Sequence, residues 1–183
     1  TLADLPTPAV LIERPRLDAN IRRMQAAASA AGIALRPHAK THKSPLVARR
    51  QIEAGAIGIC CAKLGEAEVF AAAGIADIRV PYPLQPANAS RVLALQKTTR
   101  LSFIVDDLEV ARGWSAAMTA ADEHADVLVK VDVGFHRCGI PPDPATAVPF
   151  LRELGALPGL RLTSSIGLAE AQQIGRAACR ERV

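Results

Sequence analysis

Short runs rich in β-branched residues alternate with longer, alanine-rich stretches along most of the chain, and each stretch closes at a turn residue. The runs predict strands and the stretches predict helices, because strands are short whereas helices need roughly ten residues at helical spacing. The six predicted strands lie at 33–36, 56–60, 77–80, 101–105, 127–133 and 160–163. Strict alternation of this kind indicates βα units and a parallel sheet, so the predicted fold class is α/β.

Capping residues and prolines predict where individual elements begin and end. The segment 81–83 (PYP) directly follows the third strand, and a proline cannot donate to a sheet ladder, so we expect the strand to end before it. Asp106 or Asp107 is expected to cap the next long helix. A later helix begins within 143–146, and Pro149 is expected only in its first turn.

Two architectures fit six alternating strands and helices: a doubly wound open sheet and a (β/α)8 TIM-type barrel. The doubly wound fold often carries a glycine-rich phosphate loop after its first strand, whereas this turn reads HAKTHKSP at residues 38–45. The barrel is therefore the predicted architecture. A complete barrel takes about 250 residues, and this chain has 183. We expect an incomplete barrel of about six βα units, formed by residues 1–173 as one domain.

Composition narrows the classes of function. The 22 lysine and arginine residues exceed the 18 aspartate and glutamate residues and give a formal charge of +4, but the charges are scattered. With one Trp, one Tyr and four Phe, the chain lacks the aromatic side chains on which bases stack, so we expect no nucleic-acid partner. No apolar run reaches the roughly 18 residues of a membrane span, and the four cysteines form no C-x-x-C pair. We therefore expect a cytoplasmic protein with reduced thiols and no membrane contact.

The densest group of reactive side chains, RPHAKTHKSP, occupies residues 36–45 at the end of the first predicted strand. Catalytic groups of (β/α)8 barrels lie at this end of the strands. If the segment stays extended, His38, Lys40 and His42 point to one side. A lysine with apolar neighbours and nearby cations has a lowered pKa and is a nucleophilic amine suited to Schiff-base chemistry. Two alternatives remain open: a solvated loop without function, and a metal site on His38 and His42, which lacks a third ligand.

A second group, KVDVGFHRCG, occupies residues 130–139 at the end of the fifth predicted strand. Its acidic residue and glycines are expected to bend the chain and to bring His136, Arg137 and Cys138 over the same barrel mouth as Lys40. The guanidinium of Arg137 can hold a carboxylate, a phosphate or a phenolate oxygen, because it is always charged and offers paired donors. The alternative is a surface arginine in a tight turn. For Cys138 we expect the role of a small apolar residue rather than a reactive thiol.

These two segments, together with LPTPAVLIERPRLDANI at 5–21 and the stretch 59–75 that contains KLGEAEVFAAAGI, resemble the D-threonine aldolase and D-serine dehydratase-like family. Members are pyridoxal 5'-phosphate enzymes with a barrel of the alanine racemase N-terminal kind and a C-terminal β domain. The resemblance implies that Lys40 forms the Schiff base with the cofactor. It also implies that Arg137 lies beside the cofactor, near its phenolic oxygen. We expect His38 to contribute to cofactor binding as well.

The resemblance implies a lyase that acts on D-amino acids. The cofactor drains electrons from the substrate Cα, so cleavage of the Cα–Cβ bond releases glycine and an aldehyde from a 3-hydroxy amino acid, while loss of the hydroxyl dehydrates D-serine. A divalent metal on that hydroxyl is implied for the full-length enzyme, with ligands from the C-terminal domain and none in this chain. The expected partner is a small D-amino acid, bound by a monomer or a homodimer.

Two other functions remain open. An amino-acid racemase of the alanine racemase type needs a second base, and this chain has only Tyr82 to offer, so we expect that base to lie in the missing part of the protein. A non-catalytic protein that binds pyridoxal phosphate is the other alternative.

The resemblance stops after residues 160–167. Family members continue into a cofactor-packing loop and two further strands whose glycine-rich loops bind the phosphate, whereas this chain reads LAEAQQ at 168–173. The final ten residues, IGRAACRERV at 174–183, resemble a translated sequencing-adapter read. We expect them not to be native, and a genuine amphipathic C-terminal helix is the alternative. We expect the C-terminal β domain to be absent. An open six-strand barrel exposes two edges and part of its core, so we expect this chain by itself to bind the cofactor poorly, to fold with low stability and to be inactive.

Overall fold

The computed structural model describes residues 4–167 and 180–181 of the chain. Its helices are α1 (Arg14–Ala30), α2 (Pro45–Glu53), α3 (Leu64–Ala72), α4 (Ala89–Gln96), α5 (Leu108–Ala120) and α6 (Pro144–Gly155). Its strands are β1 (Ala34–Leu35), β2 (Ile59–Cys60), β3 (Asp77–Pro83), β4 (Arg100–Val105), β5 (Ala125–Val131), β6 (Leu160–Gly167) and β7 (Arg180–Glu181). None of the helices within these residues has the length and apolar character needed to cross a membrane.

Strands β1 to β6 lie side by side in the order in which they occur along the chain. Strands β2 to β6 form one sheet in the order β2-β3-β4-β5-β6, and every pair is parallel. The chain after β1 joins β2 through a parallel bridge between His38 and Cys60, and the Cys60 N–H donates to the Pro37 carbonyl at 2.8 Å. The order of these strands never reverses, as it must in a doubly wound sheet. The prediction of a barrel-type α/β fold is therefore confirmed, and the barrel is open over the described residues.

Alternate residues of each strand pack beneath the helices and form the hydrophobic core. Ile78, Phe103 and Val127, on three neighbouring strands, are fully buried. Trp114 of α5 is also fully buried. Its ring centroid lies 4.6 Å from that of Phe103, and its indole N–H donates to the Leu84 carbonyl at 2.8 Å. The tryptophan therefore fixes α5 against β4 while its polar atom stays hydrogen-bonded.

The opposite face of the strands carries charged side chains, just after β1 and near the N-terminal ends of β3 to β6. Arg36 Nη1 lies 2.7 Å from Asp77 Oδ1, and Asp77 Oδ2 lies 3.7 Å from Arg100 Nη1. Asp126 Oδ2 lies 3.6 Å from Arg100 Nε, and Asp126 Oδ1 lies 2.6 Å from Arg161 Nε. We call these five residues the inner charge row. Its charges alternate in sign, so ion pairs join the chain after β1 to β3, β4, β5 and β6. Arg36 and Asp126 of this row are buried.

The prediction that residues 81–83 end the third strand is wrong. β3 includes this segment, and Pro83 pairs with Ile104 of β4. The register shifts between Val80 and Pro83, and such an irregularity lets a strand carry residues that donate no ladder hydrogen bond. A proline keeps its carbonyl acceptor, so β3 continues past Tyr82 and places that ring at the C-terminal end of the strand.

The prediction that Pro149 lies in the first turn of its helix is also wrong. The Asp143 carboxylate caps α6 by accepting the Thr146 N–H at 2.9 Å, which fixes an early helix start. Pro149 therefore lies inside the helix, where it removes one backbone donor. Burial of Phe150 and Leu154 in the core offsets that loss.

The other predicted elements are present with shifted ends. β1 and β2 are shorter than predicted, and β5 starts earlier and ends at Val131. α5 begins after Asp107, whose carboxylate accepts the Val110 N–H at 2.9 Å. Of the suspected non-native tail, the structure describes only Arg180–Glu181, which pair antiparallel with β1. The rest of that tail, like the segment 168–173, lies outside the described residues.

Candidate active site

Four groups of side chains follow the C-terminal ends of the strands. Residues 38–43 follow β1, Glu66 lies in α3 after β2, Tyr82 lies near the end of β3, and residues 132–139 follow β5. The carboxyl ends of parallel strands in a barrel form one rim, and catalytic groups of such barrels lie there. These four groups therefore define the mouth of the barrel.

The segment after β1 folds into a 3₁₀ turn, Ala39–Thr41. His38 caps this turn, since its Nδ1 accepts the Lys40 backbone N–H at 3.3 Å. The Thr41 hydroxyl donates to the His38 carbonyl, also at 3.3 Å. The extended conformation that would put His38, Lys40 and His42 on one side is therefore not formed. The Lys40 side chain is exposed, so the described residues do not build the apolar surroundings that the sequence suggested.

The imidazole of His38 is uncharged at neutral pH. Its pKa is lowered to about 4, mainly by burial and also by the charges of Lys40 and Arg137, while Glu66 opposes them. Because Nδ1 accepts a hydrogen bond, we assign the proton of the neutral ring to Nε2. The charges of Lys40 and Arg137 thus both act on His38, and these three are the predicted cofactor-binding residues.

We expect His38 to make the stability of the fold depend on pH below neutrality. The ordinary histidine pKa is 6.5 and that of folded His38 is about 4, so between these values the unfolded chain binds more protons. The free energy of unfolding then falls as the pH falls through this window. In His38→Asn the amide oxygen replaces Nδ1 as acceptor and nothing titrates, so its melting temperature should fall less steeply between about pH 7 and about pH 4. Parallel curves for variant and wild type would contradict the assignment.

Lys43 is held apart from Lys40 by an ion pair of its own. Its Nζ lies 3.6 Å from Glu66 Oε1, and Glu66 Oε2 accepts the Ala62 N–H at 2.8 Å. Lys43 has φ of 49°, a left-handed conformation that turns the chain between the two lysines. Sequence reasoning missed this role of Glu66, because its lysine partner lies in another βα unit.

His42 contacts α3. Its Nδ1 accepts the Ser44 N–H at 3.0 Å, and its ring meets Phe70 edge-on with centroids 6.4 Å apart. Burial lowers the pKa of His42. Among the residues that the structure describes, no group of three or more His, Cys, Asp or Glu side chains could hold a metal ion. The metal alternative based on His38 and His42 therefore gains no third ligand there.

The loop after β5 is held by hydrogen bonds from its own backbone to the side chains of Asp132 and Asp106. One Asp132 oxygen accepts the N–H groups of Gly134 and His136 at 3.1 and 3.0 Å, and the other oxygen lies 3.1 Å from His136 Nδ1. The backbone bond from His136 is the main cause that holds the pKa of Asp132 below its usual range. Asp106 does not cap α5 and instead accepts the Gly139 N–H at 2.7 Å. This bond ties the loop to the end of β4.

Two aromatic rings flank the guanidinium of Arg137. Its Cζ lies 5.9 Å from the ring centroid of Tyr82 and 5.3 Å from that of Phe135. Both distances are within the range of cation–π attraction. In the sequence Tyr82 stood out only as a possible base, and no local signal pointed to this contact.

The cysteines around the mouth are free thiols of different burial. Cys60 and Cys61 are buried free thiols, and Cys138 is a half-buried one. Burial raises the pKa of Cys61 to about 12, so this thiol stays protonated at neutral pH.

The mouth suits a cofactor that carries an aldehyde and an anionic oxygen. Lys40 offers an exposed primary amine, and the flanked guanidinium of Arg137 offers donors for an oxyanion. Pyridoxal phosphate carries both groups, so these residues fit that part of it. Barrels commonly bind a phosphate in the loops after the seventh and eighth parallel strands of the barrel. The described residues contain only the first six of these parallel strands, β1 to β6.

Comparison with known proteins identifies the family. The sequence matches the family described as alanine racemase, N-terminal domain, over residues 12–170. It is 41% identical over 160 residues to the D-threonine aldolase of Arthrobacter sp., covering 87% of this chain and 42% of that protein. It is 40% identical over 144 residues to the D-threo-3-hydroxyaspartate dehydratase of Delftia sp. (strain HT23), covering 78% of this chain and 38% of that protein. The chain spans about two fifths of the length of these relatives.

Comparison of the fold with solved structures supports the same family. The crystal structure of D-threonine aldolase from Filomicrobium marinum matches with a TM-score of 0.84 at 36% identity, covering 90% of this chain and 44% of that chain. The family match at 12–170 contains every element from α1 to β6 and therefore the whole mouth. Pyridoxal phosphate is the cofactor that this fold family implies. The chain belongs to the alanine racemase N-terminal domain family, which confirms the resemblance seen in residues 36–45 and 130–139.

Proposed function

We propose that the protein containing this chain is a pyridoxal phosphate-dependent lyase that acts on 3-hydroxy-D-amino acids, with Lys40 as the cofactor-binding lysine. The observation that supports it best is the exposed Lys40 amine at the barrel mouth, where the charges of Lys40 and Arg137 both act on His38, in a chain 41% identical to a D-threonine aldolase. When bound, pyridoxal phosphate withdraws electrons from the substrate Cα, so that a bond to that carbon can break.

Each residue at the mouth has its own task in this proposal. Lys40 would supply the amine that holds the cofactor aldehyde, and the same amine would hold or move a proton at the substrate Cα. Arg137 holds the anionic phenolic oxygen through its paired N–H donors. His38 fixes the Lys40 turn through its 3.3 Å hydrogen bond. As a neutral ring it also adds no positive charge beside that lysine.

The proposal extends to the metal and the partners of the full-length protein. A divalent metal on the substrate hydroxyl would act as a Lewis acid. No group within the described residues could hold it, so we propose that its ligands come from a C-terminal domain. We further propose a small D-amino acid as the substrate, a cytoplasmic location, a monomer or homodimer, and no nucleic-acid partner.

The racemase alternative gains no support from the residues that the structure describes. This chain offers only Tyr82 as a second base, so the second base of a racemase would lie outside these residues. Within the described residues, the ring of Tyr82 contacts the Arg137 guanidinium, with its centroid 5.9 Å from Cζ.

A product assay tests the proposed function in the native polypeptide that carries these residues, recovered from its source DNA. We expect 3-hydroxy-D-amino acids to yield either glycine and an aldehyde, or ammonia and a 2-oxo acid. Lys43→Ala, the matched control, should retain most of that turnover, because its side chain is paired with Glu66. Formation of the enantiomer alone would establish the racemase, and cofactor binding without any product would establish the non-catalytic alternative.

A further inference from the structure

We infer that Tyr82 is a positioning residue for Arg137: its ring anchors the guanidinium to the sheet so that Arg137 can hold the anionic oxygen of the cofactor. The role of Arg137 in this statement rests on the proposed function. The contact between the two side chains rests on the structure alone, with Arg137 Cζ 5.9 Å from the Tyr82 ring centroid.

Arg137 needs an anchor because its loop is exposed. All residues of 133–137 are exposed, and Gly134 and His136 have positive φ values of 110° and 52°. Within the described residues no carboxylate forms an ion pair with Arg137. A long, unanchored side chain loses conformational freedom when it binds an anion, and holding it in place beforehand reduces that loss.

The two rings beside Arg137 differ in what they can fix. Phe135 belongs to the same loop and moves with it. Tyr82 belongs to β3, which pairs with β4, and β4 pairs with β5. Of these two contacts, only the one with Tyr82 therefore fixes the guanidinium relative to the barrel strands.

The contact uses the ring of Tyr82 and not its hydroxyl. A cation is attracted to the face of an aromatic ring, and phenylalanine provides that face as well as tyrosine does. Tyr82→Phe should therefore preserve the function, whereas Tyr82→Leu should remove it. A tyrosine that acted as an acid or base would show the opposite sensitivity, because Tyr82→Phe deletes its proton.

A thermodynamic cycle tests the inference in the native polypeptide. The dissociation constant of pyridoxal phosphate is measured for wild type, Y82F, Y82L, R137A and the double variant Y82L/R137A, with a melting curve for each. We expect Y82F to match wild type and Y82L to bind about two- to fivefold more weakly, which is the effect of an exposed cation–π contact. In the R137A background, Y82L should have no further effect, because a positioning residue acts only through its target.

In the binding measurements two results would overturn the inference: Y82F as weak as Y82L, or an equal effect of Y82L with and without Arg137. A second readout is independent of the cofactor, namely the NMR shift of the Arg137 Nε–H, which the neighbouring rings displace. We expect Y82L, but not Y82F, to change that shift. If wild type does not bind the cofactor, or if R137A binds it as well as wild type does, the proposed function of the mouth is wrong. The NMR shift still shows in that case whether Tyr82 contacts Arg137. An unchanged shift in Y82L refutes the contact whatever the cofactor does.

Discussion

Substituting Lys40 with alanine is expected to abolish covalent binding of pyridoxal phosphate and to reduce turnover to background. The amine of Lys40 is exposed at the mouth, and no other atom of that side chain can take over its chemistry. Lys43, three positions further along the chain, is held by Glu66 at 3.6 Å. Titration with the cofactor should therefore produce the yellow band at about 420 nm in wild type and in Lys43→Ala, and none in Lys40→Ala.

The comparison of the two lysines makes this prediction specific. A general loss of folding would show in the melting curves of both variants. If the band persisted in Lys40→Ala and vanished in Lys43→Ala, the cofactor lysine would be Lys43, and the proposed roles of His38 and Arg137 would have to be reassigned.

The largest expected effect on stability comes from the inner charge row. Asp77→Ala removes the carboxylate 2.7 Å from the Arg36 guanidinium, whose side chain is only 6% exposed. Removing one carboxylate partner of a buried guanidinium costs up to about 3–5 kcal/mol of unfolding free energy. Arg100, the other partner of Asp77, is 68% exposed and should contribute little. Denaturant titration monitored by circular dichroism would measure the loss.

A surface pair of similar geometry is the matched control. Arg112 Nη2 lies 2.8 Å from Glu153 Oε2, and both side chains are more than half exposed. Glu153→Ala should therefore cost less than about 1 kcal/mol. If Asp77→Ala does not fold, the double variant Arg36→Met/Asp77→Leu should restore much of the stability, because it removes both charges. Equal costs for the buried and the surface pair would contradict this account of the inner charge row.

The fold was predictable from the sequence because its signals are local. Strand and helix periodicity, turn residues and caps such as Asp143 all act within a few residues. The wrong predictions of element ends concern segments where tertiary packing overrides the local conformational preference of the residues. β3 continues through Pro83 because β4 offers a pairing edge, and α6 tolerates Pro149 because Phe150 and Leu154 are buried.

The site was predictable only in part. His38, Lys40 and Arg137 lie in short segments whose residue types indicate chemistry, so the sequence alone pointed to them. The contact of Tyr82 with Arg137 and the bond from Asp106 to Gly139 join different βα units, and nothing in the spacing of these residues predicts them. The turn at Ala39–Thr41 was missed for another reason: the His38 ring competes for a backbone N–H that an extended strand would leave free.

Reductive trapping tests the central claim, that Lys40 binds the cofactor, most directly. The native polypeptide is incubated with pyridoxal phosphate, treated with borohydride so that any bond between cofactor and lysine becomes a stable amine, and digested for peptide mass spectrometry. Lys40 and Lys43 can be distinguished by fragmentation of the peptide that contains both. We predict a single phosphopyridoxyl group on Lys40. A label on Lys43 or on another lysine, or no label at a cofactor concentration that saturates binding, would contradict the account.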